Sequence, residues 1–142
     1  DQEPVALAAY KFLHDQAVEE VGFVPHPTIA DFGASPDGLV GTDGLVEIKC
    51  PNTATHIETL LAGAVDNKYA LQMQVQMACT ERQWCDFVSF DPRLPEDMQL
   101  WVKRVSRDET LIVEIAKEVG IFQYELTSKI DNLKRTYQRA AA

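Results

Sequence analysis

The sequence predicts an α/β protein with a mixed β-sheet flanked by helices and a long C-terminal helix. Three observations carry that expectation. Leu45 to Cys50 and Trp84 to Phe90 are apolar runs of strand length. Between and before them lie stretches with apolar residues at helical spacing. The end of the chain carries the stripe Leu111, Ile115, Val119, Phe122, Leu126, Ile130, Leu133 and Tyr137, at steps of four and three. Helix, strands, helices, strands, helix is the order of a mixed sheet with helices on its faces.

In order along the chain, Glu3 to about Val21 reads as a helix with Pro4 in its first turn and Val5, Ala8, Phe12 and Leu13 on one side. Gly22 and Pro25-His26-Pro27 end it. Thr28 to Ala34 and Leu39-Val40 read as extended, and Gly41-Thr-Asp-Gly44 as a turn into the strand Leu45 to Cys50, which Pro51 stops. Thr55-His-Ile-Glu58 has the form of a capping box opening a short helix to about Gly63. A second helix is expected from about Asn67 to Cys79. Trp84 to Phe90 is a strand, Asp91-Pro92-Arg93 a turn, and Met98 to Val105 another strand. The last helix starts near Asp108, with Gly120 a point for a kink, since glycine costs a helix about 1 kcal/mol relative to alanine.

At 142 residues the chain is expected to form one domain, 1–142, able to bury a real core. It opens at Asp1 without an initiator methionine, which leads us to expect an upstream portion. No apolar run approaches the ~20 residues of a membrane span, and no signal segment opens the chain. Cys50, Cys79 and Cys85 are odd in number and lack CxxC spacing, which excludes a disulfide framework or a zinc or iron–sulfur site built from this chain alone. Each is expected to be a buried thiol. His14, His26 and His56 show no metal-ligand spacing and are expected on helix surfaces or loops. No P-loop or G-x-S-x-G setting is present. Trp84 and Trp101 are expected as core or interface anchors.

The residues that carry chemistry lie around the glycine turn. Asp37 comes ten positions before Glu47, and Lys49 follows two later. Side chains alternate along a strand, so Glu47 and Lys49 project together while Val46, Ile48 and Cys50 point the other way. The turn folds Asp37 back beside Glu47. Two carboxylates about 4 Å apart repel by roughly 4 kcal/mol at an effective dielectric of 20, so a cation or a shared proton must hold them together. Asp37, Glu47 and the backbone carbonyl of Ile48 are the oxygen donors expected to hold Mg²⁺. Lys49 stands where it can orient a water, stabilise hydroxide or stabilise the transition state. This reads as metal-dependent phosphodiester hydrolysis. A net charge of −9 is awkward for a nucleic-acid enzyme, but the bases cluster at Lys103, Arg104, Arg107, Lys129, Lys134, Arg135 and Arg139.

Ser35-Pro36-Asp37-Gly38-Leu39 followed by Glu47-Ile48-Lys49-Cys50-Pro51 resembles the PD-(D/E)XK nucleases, and within them the phage lambda exonuclease (YqaJ-type viral recombinase) family. Glu3 with Ala6 is similar to that family's early Glu-x-x-Ala motif, and Tyr69-Ala-Leu-Gln72-Met-Gln74 to its Tyr-x-x-Gln-x-Gln helix. Trp84 through Arg93 resembles the strand and turn that follow. The resemblance implies a restriction-endonuclease-like core, with Asp37 and Glu47 as metal ligands and Lys49 as the catalytic lysine. It further implies Gln72 as a helper reaching the site and Glu3 as an acid near the metal. The implied activity is an exonuclease using one or two Mg²⁺ ions, with Mn²⁺ as substitute, that digests linear duplex DNA 5′ to 3′. The 3′ strand would serve a single-strand annealing recombinase in the cytoplasm of a bacterial host. A homotrimeric ring around the duplex is implied too. Rival readings are a restriction or junction-resolving endonuclease on the same fold, and a non-catalytic DNA-binding or structural subunit.

Overall fold

The computed structural model describes residues 2–140, with the side chains of Arg139 and Ala140 left aside, so Asp1 lies outside the described residues. The chain divides into two compact units, 1–108 and 109–142.

The first unit opens with α1 (Glu3–His14), where Pro4 fits the first turn because its missing N–H would be unsatisfied there anyway. Ala6 and Tyr10 are its buried residues. The helix is shorter than expected. Asp15 takes a left-handed conformation (φ 46°), and β1 (Val18–Glu19) then pairs antiparallel with Val40 and Leu39. Helical periodicity up to Val21 gives way to a non-local strand pairing. A small ribbon of β2 (Val24–Pro25) and β3 (Gly33–Ala34) follows.

The main sheet has five strands in the order β1-β4-β5-β6-β7. The hairpin of β4 (Gly38–Val40) and β5 (Gly44–Lys49) is antiparallel, with Gly38 opposite Val46 and Val40 opposite Gly44. β5 and β6 (Trp84–Phe90) run parallel, pairing Glu47 with Phe87 and Lys49 with Ser89. Parallel neighbours need a long crossover, here made by α2 (Thr53–Ala62) and α3 (Asn67–Thr80). β7 (Leu100–Ser106) closes the sheet antiparallel to β6, after a 3-10 turn at Glu96–Met98 where the strand was expected to begin. The cap of α2 also differs from expectation. Asn52, not Thr55, is its N-cap, and its Oδ1 accepts from the Thr55 N–H at 2.9 Å.

β5 is buried along its length, and alternation divides its side chains between two cores. Val46 and Ile48 join Tyr10, Val40 and Val88 on one face, with Ala6 of α1. Leu45 joins Met73 and Met77 of α3, with Cys85 and Phe87, on the other. Each fully buried side chain of this size contributes about 1.5–3 kcal/mol. Gly44 is required where it stands, since a Cβ there would lie 2.1 Å from the Trp84 indole. Gly41 supplies the positive φ of 55° in the turn. Arg82, just beyond α3, donates through Nη1 to the carbonyls of Val40, Gly41 and Gly44 at 3.3, 2.9 and 3.0 Å.

Two buried polar clusters tie the sheet to its surroundings. Asp86 accepts from Tyr10 Oη at 2.6 Å and from Arg104 through both carboxylate oxygens at 2.8 and 3.0 Å, while the guanidinium lies 3.6 Å over the Trp84 ring. His56 was expected at the surface but is fully buried, between Ser89 Oγ (2.7 Å) and the carbonyl of Met98 (2.8 Å). Cys79 and Cys85 are buried as expected. Cys50 is exposed, because β5 ends at Lys49 and Pro51 turns the chain away from the sheet. Trp84 and Trp101 pack against the two cores.

The second unit is α4 (Glu109–Ala140), which passes through Gly120 without interruption. Among the described residues no helix is long and apolar enough to cross a membrane.

Candidate active site

The hairpin brings Asp37, Glu47 and Lys49 together at the ends of β4 and β5. Asp37 Oδ2 accepts from the backbone N–H of Ile48 at 2.7 Å, which anchors the start of β4 between the two functional side chains of β5. Glu47, 6% exposed, has both carboxylate oxygens engaged. Its Oε1 lies 3.0 Å from Lys49 Nζ, and its Oε2 accepts from Gln76 Nε2 at 2.8 Å.

The glutamine is where structure and expectation part. Gln72 is exposed on α3, and the glutamine that reaches the acid is Gln76, one turn further along. Gln74 is buried for another purpose, donating to the Ser106 carbonyl at 3.0 Å and accepting from the Asp108 N–H at 2.9 Å. The signal for Gln76 was present in the alternation Gln72-Met-Gln74-Val-Gln76, which continues past the Tyr-x-x-Gln-x-Gln match.

Burial raises the carboxyl pKa values of both Asp37 and Glu47 above the ordinary carboxylate range. For Asp37 the Ile48 N–H works against that rise, and the neighbouring Glu3 carboxyl, by charge and by hydrogen bond, adds to it. For Glu47 the Gln76 amide and Lys49 work against it, and Asp37 adds to it. Glu3, the first residue of α1, thus stands beside Asp37. Burial disfavours the Lys49 charge, but Glu47, Tyr69 and Asp37 outweigh this and hold its pKa above the usual lysine value. Its ammonium lies 5.0 Å from the Tyr69 ring centroid, and that ring also carries Lys68 at 4.8 Å and stacks on Phe87 at 5.5 Å.

Two grooves flank these residues. One, of about 410 Å³, is lined by Glu3, Leu7, Lys11, Glu20 and Asp37. The other, of about 280 Å³, is lined by Thr55, Glu58, Thr59, Lys68, Tyr69 and Phe87.

Among the described residues no set of three or more His, Cys, Asp or Glu side chains is arranged to hold a metal ion. Two carboxylates completed by backbone oxygen and water would suit Mg²⁺, which one or two carboxylates hold while it keeps several waters. Two features of the site fit a cation with its waters. Half-buried Asp37 and buried Glu47 stand close enough for the Asp37 charge to raise the Glu47 pKa, and Gln76 Oε1 is buried with no hydrogen-bond partner.

Half-buried Asp37, buried Glu47 and Lys49 at the end of a central strand of a mixed sheet have the arrangement expected of the PD-(D/E)XK class. The family model for the YqaJ-like viral recombinase domain matches residues 1–83. The chain belongs to that viral and phage recombinase–exonuclease family, which is related to lambda exonuclease. It is 57% identical to the alkaline exonuclease LHK-Exo from Laribacter hongkongensis, with a TM-score of 0.96 over 98% of this chain and 72% of that one. A structure of LHK-Exo in complex with dAMP gives the same identity and TM-score over 98% and 71%. A phage-related exonuclease from Haemophilus somnus 129PT, 18% identical, shares the fold with a TM-score of 0.69 over 91% of this chain and 70% of that one. Comparison with the curated proteins found no match.

Proposed function

We propose that the chain is the nuclease domain of a Mg²⁺-dependent exonuclease that digests linear duplex DNA 5′ to 3′, leaving a 3′ strand for a single-strand annealing recombinase. The observation that carries this reading is the fixing of Asp37, Glu47 and Lys49 on one hairpin by the Ile48 N–H and the Gln76 amide. The likeness to LHK-Exo, a structure of which holds dAMP, supports DNA as the substrate.

In this reading Asp37, Glu47 and the Ile48 carbonyl hold the cation. Bound there, Mg²⁺ lowers the pKa of a water and offsets charge on the attacked phosphate. Gln76 keeps the Glu47 carboxylate turned toward the site by occupying its Oε2. Lys49 acts as a cation rather than a base, since its neighbours favour the protonated ammonium. It stabilises negative charge as it builds on the phosphate oxygens. Glu3 adds negative charge beside Asp37 and strengthens the pull on the cation. A homotrimeric ring around the duplex belongs to the same proposal.

The test is digestion of linear duplexes bearing 5′-phosphate, 5′-hydroxyl or blocked 5′ ends, beside closed circles, with Mg²⁺ or with chelator. Mg²⁺-dependent release of nucleotides from the 5′-ended strand of linear DNA, with circles untouched, is expected. Nicking of circles would instead make the protein an endonuclease, and no cleavage by the folded chain would favour a non-catalytic role.

A further inference from the structure

Lys68 stands beside the acid site, and the proposed chemistry does not use it. Its ammonium lies 4.8 Å from the centroid of the Tyr69 ring, and Lys49 Nζ lies 5.0 Å from the same centroid. One aromatic ring thus carries two cations, whose nitrogens are no more than about 10 Å apart. The ring itself is held in place. Tyr69 stacks on Phe87 at 5.5 Å, and Phe87 meets Trp101 edge-on at 6.2 Å. The backbone N–H of Lys68 donates to Asp66 Oδ1 at 3.0 Å, which anchors the first turn of α3. Lys68 and Tyr69 both line the groove of about 280 Å³ that flanks the site.

Charge sets Lys68 apart from the arginines of the first unit. Arg82 and Arg107 donate to backbone carbonyls, Arg93 is paired with Asp91, and Arg104 with Asp86. Lys49 is paired with Glu47. Lys68 is exposed and forms no ion pair among the described residues. An aromatic face holds a cation without neutralising it, so the Lys68 charge stays open to an anion. Glu58 and Asp66 line the same groove, and their repulsion favours an anion on the side where Tyr69 holds the two ammonium groups. Successive phosphates of a DNA strand are set about 3.4 Å apart along the duplex axis and further around it. Two ammonium groups so close together can meet two of them at once.

We propose, on the role given above to Lys49 at the scissile phosphate, that Lys68 binds the next phosphate of the same DNA strand. Tyr69 is the positioning residue that sets the spacing of the two ammonium groups.

The test is binding of short linear duplexes by fluorescence anisotropy over a range of salt, with Ca²⁺ in place of Mg²⁺ to leave the DNA uncut. Lys68→Ala should weaken binding about three- to tenfold on every sequence. It should also lower the slope of log affinity against log salt by about 0.9, the share of one phosphate. Lys68→Arg should keep both values. Tyr69→Phe keeps the ring and should bind as wild type, whereas Tyr69→Leu should lose affinity with its fold intact by circular dichroism.

Duplexes carrying one uncharged methylphosphonate linkage, moved one position at a time, locate the contact. The linkage whose neutralisation weakens wild type but not Lys68→Ala should adjoin the one that behaves so with Lys49→Ala. In parallel digestion with Mg²⁺, Lys68→Ala should raise KM and leave kcat unchanged, as for a contact made equally before and in the transition state. An unchanged salt slope in Lys68→Ala, wild-type binding by folded Tyr69→Leu, or two linkages that are not neighbours would each overturn the proposal. Neighbouring linkages found in a wild-type protein that digests nothing would uphold the Lys68 contact and refute the catalytic reading instead.

Discussion

Gln76 Nε2 donates to Glu47 Oε2 at 2.8 Å, so a helix of the crossover holds the acid of the central strand from across the sheet face. Its own carbonyl oxygen stays buried without a partner. This bond lowers the Glu47 pKa against the rise that burial causes. Replacing Gln76 by Ala should therefore make Glu47 harder to ionise and weaken the cation site. A rise of about 10–100-fold in the Mg²⁺ concentration needed for half-maximal digestion is the expected result, the usual scale for a group supporting a metal ligand. Gln72→Ala, at the exposed position one turn earlier, should leave that titration unchanged.

Asp37→Asn should separate activity from stability. The amide oxygen can still accept from the Ile48 N–H, while the charge that Asp37 sets against Glu3 and Glu47 disappears. Digestion should fall by at least about 100-fold, and the melting temperature of the metal-free protein should stay level or rise. Lys49→Ala should abolish digestion too, but for lack of the cation that faces the phosphate. A fully active variant at either position would sink the assignment of the site.

The pH dependence of stability contains two opposed contributions. Asp37 and Glu47 have folded-state pKa values raised above their unfolded ones. Their contribution is fully present below the unfolded carboxylate range and is lost as pH rises through the raised values. Without metal, the melting temperature should therefore decline from mildly acidic toward neutral pH, and Mg²⁺ should restore it most where both acids are ionised. Asp91 has the opposite sign. Arg93, then Thr53, lower its pKa from 3.8 to about 2. Its contribution is present above the unfolded value and is lost as pH falls through about 2. Melting curves from pH 2 to 9, with and without Mg²⁺ and with Asp91→Asn alongside, separate the two.

The buried Asp86 cluster predicts a graded loss of stability. Tyr10→Phe removes one hydrogen bond and should cost about 1 kcal/mol. Arg104→Ala leaves a buried carboxylate with only the tyrosine. Because the arginine side chain is 50% exposed, solvent screens part of that loss, and about 1–3 kcal/mol is expected. Denaturant unfolding of the two single variants and the double variant should show non-additive losses, as two donors share one acceptor.

Where the sequence was legible, the determinants were local. Trp84 to Phe90 reads as a strand because the run is apolar and bounded by turn residues, and β6 has those limits. The hairpin is readable because Gly41 supplies a positive φ and Gly44 leaves room for the Trp84 indole. What failed to show depends on distant partners. Nothing between His14 and Val21 announces that Val18 will pair with Val40. Likewise the helical period puts Gln72 and Gln76 on one face, about 6 Å apart along the axis. Which of them meets Glu47 is set by how far α3 slides along the sheet. His56 is hidden for the same reason, since its partners Ser89 and Met98 lie more than thirty residues away.

Arg82 grips three carbonyls of the β4–β5 turn from the far end of α3, while Gln76 of that helix grips Glu47. Helix and hairpin are thus fastened to each other at two separated points, and a rigid rod held twice cannot swivel. Relative motion of the glutamine and the acid pair is suppressed before any substrate arrives. A scissile phosphate bound as proposed would meet a socket already set, and the entropy of aligning these groups would belong to folding rather than to each round of cleavage.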